Sequence, residues 1–292
     1  MVLDFHVHLY PPEVVRDSER IAQREDYFAL LSSSPVHRWA QVEDLISAMD
    51  RDGVDRAVVF GFAFNDLGLC RLCNDYVLEA ARAHPDRLIP FAVVPPLCRG
   101  MGAEVERAAS LGALGVGELF PDGQGFQVDD PRQTFRIAGL CHELGILLML
   151  HCAEPVGHLY AGKGTVGPKE AAAFCENHPE VKVVFAHFGG GLWLYEAMEE
   201  MRLNLSNAYY DTAAMPFLYD SSLLASVMAS GAGKKILFGT DFPILGLPRY
   251  RPLLESAGIS GPDAEALLGG NGWRLLESLG RPLTPWGGLN RI

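Results

Sequence analysis

The chain alternates between two patterns of hydrophobic positions. Stretches with apolar residues spaced three and four apart predict amphipathic helices, and each leads into a short, almost continuous apolar run. Such runs predict strands that are buried on both faces, as in a parallel sheet. The pattern predicts helices over 42–52, 71–83, 102–111, 131–144, 168–177, 191–201, 219–230, 249–257 and 262–279. It predicts strands over 2–8, 56–62, 88–94, 114–119, 146–151, 181–187, 205–211 and 235–241.

Eight strands that alternate with helices in 292 residues predict an α/β fold, a single TIM (β/α)8 barrel. The alternative is an open, doubly wound sheet, which usually has fewer strands and a glycine-rich phosphate turn after the first one. Here the first strand ends in His6-Val7-His8 instead. No linker divides the chain, so we expect one domain over 1–280 and a C-terminal extension over 281–292.

Residues 9–40 interrupt the alternation with a long polar segment that contains several prolines. The pattern predicts a loop, and ordered loops of this length are usually functional. His37, Arg38 and Trp39 lie within it and could cover a pocket at the barrel mouth.

The composition of the chain argues against some classes of binding partner. The 36 acidic residues exceed the 24 basic ones, which gives a formal net charge of −12, and no long basic run is present. This balance argues against nucleic acid or an anionic membrane as the main partner. No apolar run approaches the roughly 18 residues of a spanning helix, and no signal-peptide pattern is visible. Six scattered cysteines fit reduced thiols, so we expect a cytoplasmic protein.

The first strand carries the first candidate chemistry. Residues two apart on a strand share a face, so His6 and His8 point the same way. Neutral imidazoles suit divalent transition metals, and the pair supplies half of a metal site. Asp4 has the same parity and could orient a ligand from behind.

Other predicted strands end in similar side chains. The working residues of a TIM barrel lie at the carboxyl ends of its strands. Glu118 ends the fourth strand, His151 the fifth, His187 the sixth and Asp241 the eighth. Buried histidine and aspartate at apolar strand ends are costly unless they are paired or bound to metal. Together with the first strand, these positions predict a metal site at one rim of the barrel.

Four motifs carry a resemblance to a known family. They are Asp4-x-His6-x-His8, the single His151, His187-Phe-Gly-Gly-Gly and Gly239-Thr240-Asp241-Phe-Pro. The set resembles the amidohydrolase superfamily, and more narrowly its amidohydrolase-2 branch, the group of aminocarboxymuconate-semialdehyde decarboxylase and dicarboxylate lactonases. Residues 269–276 are similar to the closing helix of that branch.

The resemblance implies roles for these residues. His6, His8, His151 and Asp241 would bind a divalent metal, most often zinc. His187 would be a further ligand or would handle the proton of the metal-bound water, and Asp241 would also accept a proton. A metal lowers the pKa of bound water toward ~7, and a neighbouring carboxylate or imidazole can then exchange protons with it.

The fourth strand departs from the two-metal members of the superfamily. Those members often bridge their ions with a carboxylated lysine, but here the strand ends in Val116-Gly117-Glu118-Leu119. Alternation does not settle whether Glu118 faces the lumen. If it does, it could bridge a second metal or bind substrate. We expect one ion rather than two.

The leading functional prediction is a metal-dependent hydrolase. A metal-bound hydroxide would attack the carbonyl of an amide, a lactone or a similar small molecule. The alternative is non-oxidative decarboxylation of a small unsaturated or aromatic acid, which the branch resemblance suggests. A purely structural zinc site is the third hypothesis, but structural sites are closed by four ligands, and more donors are available here.

The predicted partner is a small-molecule substrate that could be a carboxylate. Loop residues that could hold such a group are His158, Lys163, Arg249 and Arg251. Apolar surface on the outer helices would indicate a homodimer.

Overall fold

Eight parallel strands form one sheet, in the order in which they occur along the chain. The structure, a computed structural model, describes residues 1–283. The strands are β1 Leu3–His8, β2 Arg56–Phe60, β3 Leu88–Ala92, β4 Gly115–Leu119, β5 Leu147–Leu150, β6 Val183–Phe185, β7 Ala208–Asp211 and β8 Ile236–Leu237. Helices alternate with them, and the predicted TIM barrel is confirmed. Of the predicted C-terminal extension, residues 284–292 lie outside the described part.

Backbone hydrogen bonds close the barrel between β1 and the segment that follows β8. The N–H of His8 donates to the carbonyl of Phe242 at 2.8 Å, and the N–H of Asp241 donates to the carbonyl of His6 at 3.1 Å. The first and last strands are therefore neighbours, and the residues at their carboxyl ends lie side by side.

The α-helices fall into barrel helices and short helical turns. They are α1 Pro12–Arg16, α2 Ser18–Ala22, α3 Asp26–Ser32, α4 Val42–Asp52, α5 Leu67–Ala83, α6 Met101–Ser110, α7 Pro121–Gln124, α8 Pro131–Leu144, α9 Pro168–Asn177, α10 Ala186–Gly189, α11 Glu199–Asn204, α12 Met215–Leu218, α13 Ser222–Ala229, α14 Arg251–Ser256, α15 Gly261–Glu265 and α16 Asn271–Glu277. No helix within residues 1–283 has the length and apolar character that a membrane span requires.

Three helices, α4, α8 and α9, have the bounds that the sequence predicts. The two ends of α8 show why. Its first residue is Pro131, and the carboxylate of Asp130 accepts a hydrogen bond from the N–H of Arg132. The helix ends at Leu144 and is followed by Gly145, whose φ of 61° lies in the left-handed region that glycine adopts without strain. Such local signals are visible in the sequence, so they set the helix bounds correctly.

The segment before α4 differs from the prediction, because it contains the helices α1 to α3 rather than a loop. Each of them buries one apolar side chain, Val14, Ile21 and Phe28 respectively. Helices of five to seven residues are too short to show a clear period, and their polar residues dominated the pattern.

The carboxylate of Glu25 fastens this segment to the barrel. It accepts hydrogen bonds from the backbone N–H groups of Asn65 and Asp66, both at 2.9 Å. Those two residues precede α5, so the first segment is tied to the start of that helix.

Two other predicted helices are interrupted. The stretch 191–201 forms a 3₁₀ turn at 192–197 before α11, and the stretch 262–279 passes through a π-helical turn at 266–270 before α16. Gly269 and Gly270 lie in that π-helical turn, and a Cβ at Gly269 would lie 2.5 Å from the carbonyl oxygen of Met1. The close approach to the first strand therefore requires glycine there.

The closing helix α16 also fixes which side chains of β1 face the lumen. Leu3 and Phe5 lie against Gly272 of that helix, outside the barrel. Because side chains alternate along a strand, Asp4, His6 and His8 point into the barrel. The predicted parity of the first strand is confirmed.

Asn271 anchors α16 to β8, and its replacement by alanine should destabilise the barrel. Its buried side-chain amide donates to the carbonyls of Gly233 and Ile236, at 2.9 and 2.7 Å. Removing it leaves two carbonyls without donors, so we expect Asn271→Ala to lower the free energy of unfolding by about 2–4 kcal/mol. Urea unfolding measures the change.

The matched control is Asn177→Ala, which removes one exposed amide that donates to the carbonyl of Asp129 at 3.2 Å. We expect a loss below about 0.5 kcal/mol. Equal losses in the two variants would contradict the anchoring role of Asn271.

Candidate metal centre

Four imidazoles and two carboxylates converge at the carboxyl end of the barrel. All are at least nine-tenths buried, and all were predicted from the sequence: His6, His8, Glu118, His151, His187 and Asp241. Six side chains from five strands or the turns that follow them therefore share one mouth, which is the arrangement that the motifs predicted.

Two groups of three donors could each hold an ion, since their ligand atoms lie within 4.8 Å of one another: His6, His8 and Asp241, and His6, Glu118 and His187. The Nε2 atoms of His6 and His8 lie 3.3 Å apart. Glu118 Oε2 lies 3.4 and 3.6 Å from these nitrogens, and Asp241 Oδ1 lies 3.7 and 3.5 Å from them. Donors bound at about 2.0–2.2 Å to a tetrahedral ion lie roughly 3.4 Å from one another. The distances from the two imidazoles to each carboxylate are therefore close to those around a divalent transition metal.

Two further imidazoles border the other oxygen of Glu118. His151 Nδ1 lies 2.9 Å from Glu118 Oε1, and His187 Nε2 lies 3.5 Å from it. Glu118 therefore contacts all four imidazoles, and the donor atoms of His6 and His187 lie within 4.8 Å of each other.

A local irregularity of β4 turns Glu118 into the mouth. The register with β5 shifts between Val116 and Leu119, and Gly117 has a φ of 131°. A Cβ at Gly117 would lie 2.3 Å from the carbonyl oxygen of Met149, so only glycine fits. Simple alternation does not describe this strand end, which is why it could not place Glu118.

His187 lies beyond the end of its strand, contrary to the prediction that the strand runs to it. β6 ends at Phe185, and His187 and Phe188 have φ values of 54° and 57°. Left-handed backbone costs of order 1–3 kcal/mol per non-glycine residue and persists only where other contacts impose it. Here the carboxylate of Asp211 accepts a hydrogen bond from the N–H of His187 at 2.9 Å. The turn directs the imidazole toward Glu118.

Asp4 braces the backbone of the mouth rather than an imidazole ring. It accepts hydrogen bonds from the hydroxyl and N–H of Thr240, at 2.5 and 2.9 Å, and from the N–H of His6 at 3.1 Å. Burial raises the pKa of its carboxyl to about 6, although these hydrogen bonds oppose the rise. The expected orientation of a ligand is therefore indirect, through the loop that carries Asp241.

Asp211 is the functional residue that the sequence did not single out. It is fully buried at the end of β7 and accepts hydrogen bonds from His6 Nδ1 at 2.9 Å and from the N–H groups of His187 and Ala213. The strand-end residues predicted from the sequence do not include it. Its position at a strand end, level with the predicted ligands, was the available signal.

The electrostatics of the mouth favour a positive charge at its centre. Burial opposes a charge on His6, but Glu118 and Asp211 outweigh it and raise the pKa of the imidazole well above 6.5. Burial likewise opposes a charge on His187, yet Glu118 raises its pKa to about 9. Burial would raise the pKa of Glu118 and Asp241, but the surrounding imidazoles lower both. Buried carboxylates need such cationic partners, which a divalent ion would supply.

An aromatic wall, formed by Tyr27, Phe62 and Phe120, rises beside these donors. The ring of Phe120 is parallel to that of His8 within 8°, at 6.3 Å between centroids. It also lies 5.4 Å from the rings of Phe62 and Tyr27 and 5.2 Å from that of His151. The wall places aromatic rings immediately next to the candidate ligands, with Phe120 only 5% and Phe62 only 3% exposed.

The residues predicted to cover the pocket pack near this wall. Trp39 contacts Tyr10 and Phe28, with ring centroids at 4.9 and 6.0 Å, and His37 lies 4.3 Å from Trp39. Arg38 is exposed and donates to the carbonyls of Pro35 and His37. His37 and Trp39 therefore pack among aromatic side chains near the wall, whereas Arg38 faces solvent.

The predicted holders of a substrate carboxylate are otherwise engaged or exposed. Lys163 Nζ donates to the carbonyls of Val156 and His158, at 2.5 and 3.2 Å. Arg251 donates to the carbonyl of Asp52 at 2.7 Å, and Arg249 and His158 are exposed. Among these four residues, none presents an unengaged cationic group toward the metal donors.

Comparison with known proteins agrees with this architecture. A family model described as Amidohydrolase matches residues 3–277. No curated protein matches the sequence.

Solved structures of similar fold include three enzymes that share 15–18% identity with the chain. A 5-carboxyvanillate decarboxylase from Sphingomonas paucimobilis has a TM-score of 0.75 and 15% identity, with 94% of this chain and 98% of that chain covered. A dihydroxybenzoic acid decarboxylase from Polaromonas sp. JS666, with bound manganese and the inhibitor 2-nitroresorcinol, has a TM-score of 0.71 and 18% identity, covering 98% and 99%. A 4-oxalomesaconate hydratase from Rhodopseudomonas palustris has a TM-score of 0.68 and 18% identity, covering 96% and 97%.

Replacing Asp211 by asparagine should weaken metal binding without unfolding the barrel. The amide cannot accept hydrogen bonds on both sides, so the ring of His6 loses the partner that orients it. Loss of such a supporting partner typically costs about 10–100-fold in metal affinity. Competition with a chelating zinc indicator measures the change, and circular dichroism checks the fold.

The control is Asp263→Asn, at the exposed start of α15, which should keep the affinity of the unmodified protein. An Asp211→Asn protein that is folded and binds zinc as tightly as this control would refute the orienting role.

Proposed function

This chain belongs to the amidohydrolase family, and we propose that it is a metal-dependent decarboxylase of a small aromatic or unsaturated carboxylic acid. The observation that carries the proposal is the aromatic wall beside a buried set of metal donors. The ring of a substrate would enter beside Phe120, and its carboxylate would reach the donors around His8. The three similar structures support it, since each is an enzyme named for a carboxylic acid and two are decarboxylases.

The ion would be held by His6, His8 and Asp241, whose donor atoms lie within 4.8 Å of one another. Glu118 would be a further ligand, and His151 and His187 lie beside its other oxygen. Zinc is the prediction from the sequence, and manganese is bound in the Polaromonas enzyme. A divalent ion in this position polarises substrate oxygens and stabilises negative charge that develops on them. Binding by metal explains how a carboxylate enters a mouth whose nearby Lys163 is engaged elsewhere.

Asp241 would carry the proton. Its neighbouring imidazoles lower the pKa of its carboxyl, so it begins the reaction ionised and can take a proton from a substrate hydroxyl. The bond between the substrate carbon and its carboxylate then breaks, and the electron pair stays on that carbon. Asp241 returns its proton to the carbon, carbon dioxide leaves, and the product oxygen regains a proton from water.

Hydrolysis of an ester, lactone or amide is the second candidate function. The same donors and the same proton carrier would serve it, and the favouring observation is the second pair of histidines beside Glu118. Two imidazoles beyond the first donor group offer an additional place to activate water.

Decarboxylation in D₂O should leave deuterium in the product. Metal-loaded protein is incubated in D₂O with a panel of hydroxylated benzoic acids and unsaturated dicarboxylic acids. We expect carbon dioxide release and one deuterium on the carbon that carried the carboxylate, measured by mass spectrometry and NMR. Removing the metal with a chelator should abolish release, and adding it back should restore release.

The variant for this experiment is Asp241→Asn, which should lower kcat by about 10²–10⁴-fold because the amide cannot carry the proton. Exposed Asp220→Asn is the control and should keep full activity. Hydrolysis of lactones or amides, with no carbon dioxide from any acid, would replace this proposal by the second candidate.

The aromatic wall should affect substrate binding more than turnover. In Phe120→Leu the side chain stays apolar but loses the stacking surface, so we expect KM for an aromatic acid to rise about 2–10-fold with kcat nearly unchanged. Steady-state kinetics measures both constants. Phe135→Leu, at an exposed position of α8, is the control, and an unchanged KM in Phe120→Leu would exclude the wall as the ring-binding surface.

A further inference from the structure

One buried amide joins the ends of three consecutive strands beside the mouth. It is the side chain of Gln124, the last residue of the short helix α7. Its Nε2 donates to the carbonyl of Phe64 at 3.0 Å and to the carbonyl of Val94 at 2.9 Å. Its Oε1 accepts a hydrogen bond from the backbone N–H of Phe120 at 3.2 Å. These three partners lie just beyond β2, β3 and β4, so a single side chain sets the spacing of the three strand ends.

The partners of Gln124 allow its amide only one orientation. A carboxamide has two N–H donors and one oxygen that accepts. Two of the partners are carbonyl oxygens, which can only accept, and the third is an N–H group, which can only donate. A flipped amide would therefore face every partner with the wrong group. Phe120 is also held a second time, because its carbonyl accepts a hydrogen bond from the backbone N–H of Gln124 at 2.8 Å.

These hydrogen bonds hold the two phenyl rings of the aromatic wall relative to each other. Phe120 is bound directly, and Phe62 is held through Phe64, since the centroids of those two rings lie 4.8 Å apart. β2 and β4 are not neighbours in the sheet, because β3 lies between them. The distance of 5.4 Å between the Phe62 and Phe120 rings is therefore set by Gln124 rather than by direct pairing of their strands.

The placement of Phe120 matters for a ring that enters beside it. Both phenyl rings of the wall are almost fully buried, so the surface they present to a substrate is small. Because protein interiors are close-packed, a backbone shift at this strand end would move the ring of Phe120 against the entering one. Aromatic rings attract each other only within a narrow range of distances and angles. A wall that is free to shift would therefore lose its attraction for a ring.

We propose that Gln124 is a positioning residue that makes the mouth prefer acids with an aromatic ring over open-chain acids. It acts through the aromatic wall and does not touch the substrate itself. An open-chain acid has no ring to place beside Phe120, so its binding depends little on how the wall is held. The inference rests on the proposed function for the site at which the acid binds, but it is tested by binding rather than by turnover.

The test compares two acids of the same charge and similar size, benzoate and the open-chain unsaturated acid sorbate. Each is titrated into Zn²⁺-loaded protein, and its Kd is measured by isothermal titration calorimetry. We expect the unmodified protein to bind benzoate about 2–10-fold more tightly than sorbate. Gln124→Glu keeps the size of the side chain and its acceptor but loses both donors. In this variant we expect the two Kd values to become about equal, with the Kd for sorbate nearly unchanged.

Two further variants control for charge and for folding. Gln127→Glu makes the same exchange at an exposed position and should keep the preference of the unmodified protein. Gln124→Met removes both donors without adding a charge, and it should abolish the preference as Gln124→Glu does. It also carries the test if the buried carboxylate of Gln124→Glu prevents folding.

A double variant separates positioning from a general weakening of the fold. If Gln124 acts through Phe120, a preference that is already lost in Phe120→Leu cannot be lost again. Phe120→Leu combined with Gln124→Met should therefore show the ratio of Kd values of Phe120→Leu alone, since residues that act through each other are not additive. Additive losses, or an equal loss of affinity for sorbate and benzoate in Gln124→Met, would overturn the positioning role.

The remaining outcomes distinguish this inference from the proposed decarboxylation. Equal Kd values in the unmodified protein would overturn the inference, whether or not any acid releases carbon dioxide. A preference for benzoate that survives in Gln124→Met would overturn it and leave the decarboxylation standing. A preference that the Gln124 variants abolish would support the inference, even if no acid of the panel released carbon dioxide and the decarboxylation were rejected.

Discussion

The arrangement of the barrel mouth depends on the hydrogen bonds that Asp211 accepts. This buried carboxylate joins the ring of His6, on β1, to the backbone of His187, after β6, although these strands are not neighbours in the sheet. It selects the ring nitrogen that His6 presents to the centre, and it holds the left-handed turn that carries His187. A buried carboxylate is stable only when its oxygens accept hydrogen bonds. The hydrogen bonds that satisfy Asp211 also fix the two imidazoles.

The barrel and the members of its site were predictable because both follow from local signals. Apolar runs mark the strands, and the caps at Asp130 and Gly145 mark a helix to the residue. Parallel strands in a barrel end on one rim, so polar residues that close those strands must meet. The short helices α1 to α3 were missed because each contributes a single buried side chain, which has no period to detect.

The orientation of the site residues needed the structure. Glu118 follows a glycine at which the register of β4 shifts, and His187 follows the end of β6 in a turn, so neither obeys strand alternation. The role of Asp211 depends on hydrogen bonds with His6 and His187, which are 205 and 24 residues away in the chain. Contacts of this kind arise from the closed barrel, and no window of sequence contains them.

Glu25 bears on how reactants reach the barrel mouth. By accepting hydrogen bonds from the two residues before α5, it holds the segment 9–40 against the barrel. The exposed stretch 155–160 adjoins the same segment, because the hydroxyl of Tyr27 donates to the carbonyl of Gly162 at 3.4 Å. A route for reactants between the two would therefore be widened by movement of 155–160, since the first segment is held to the barrel.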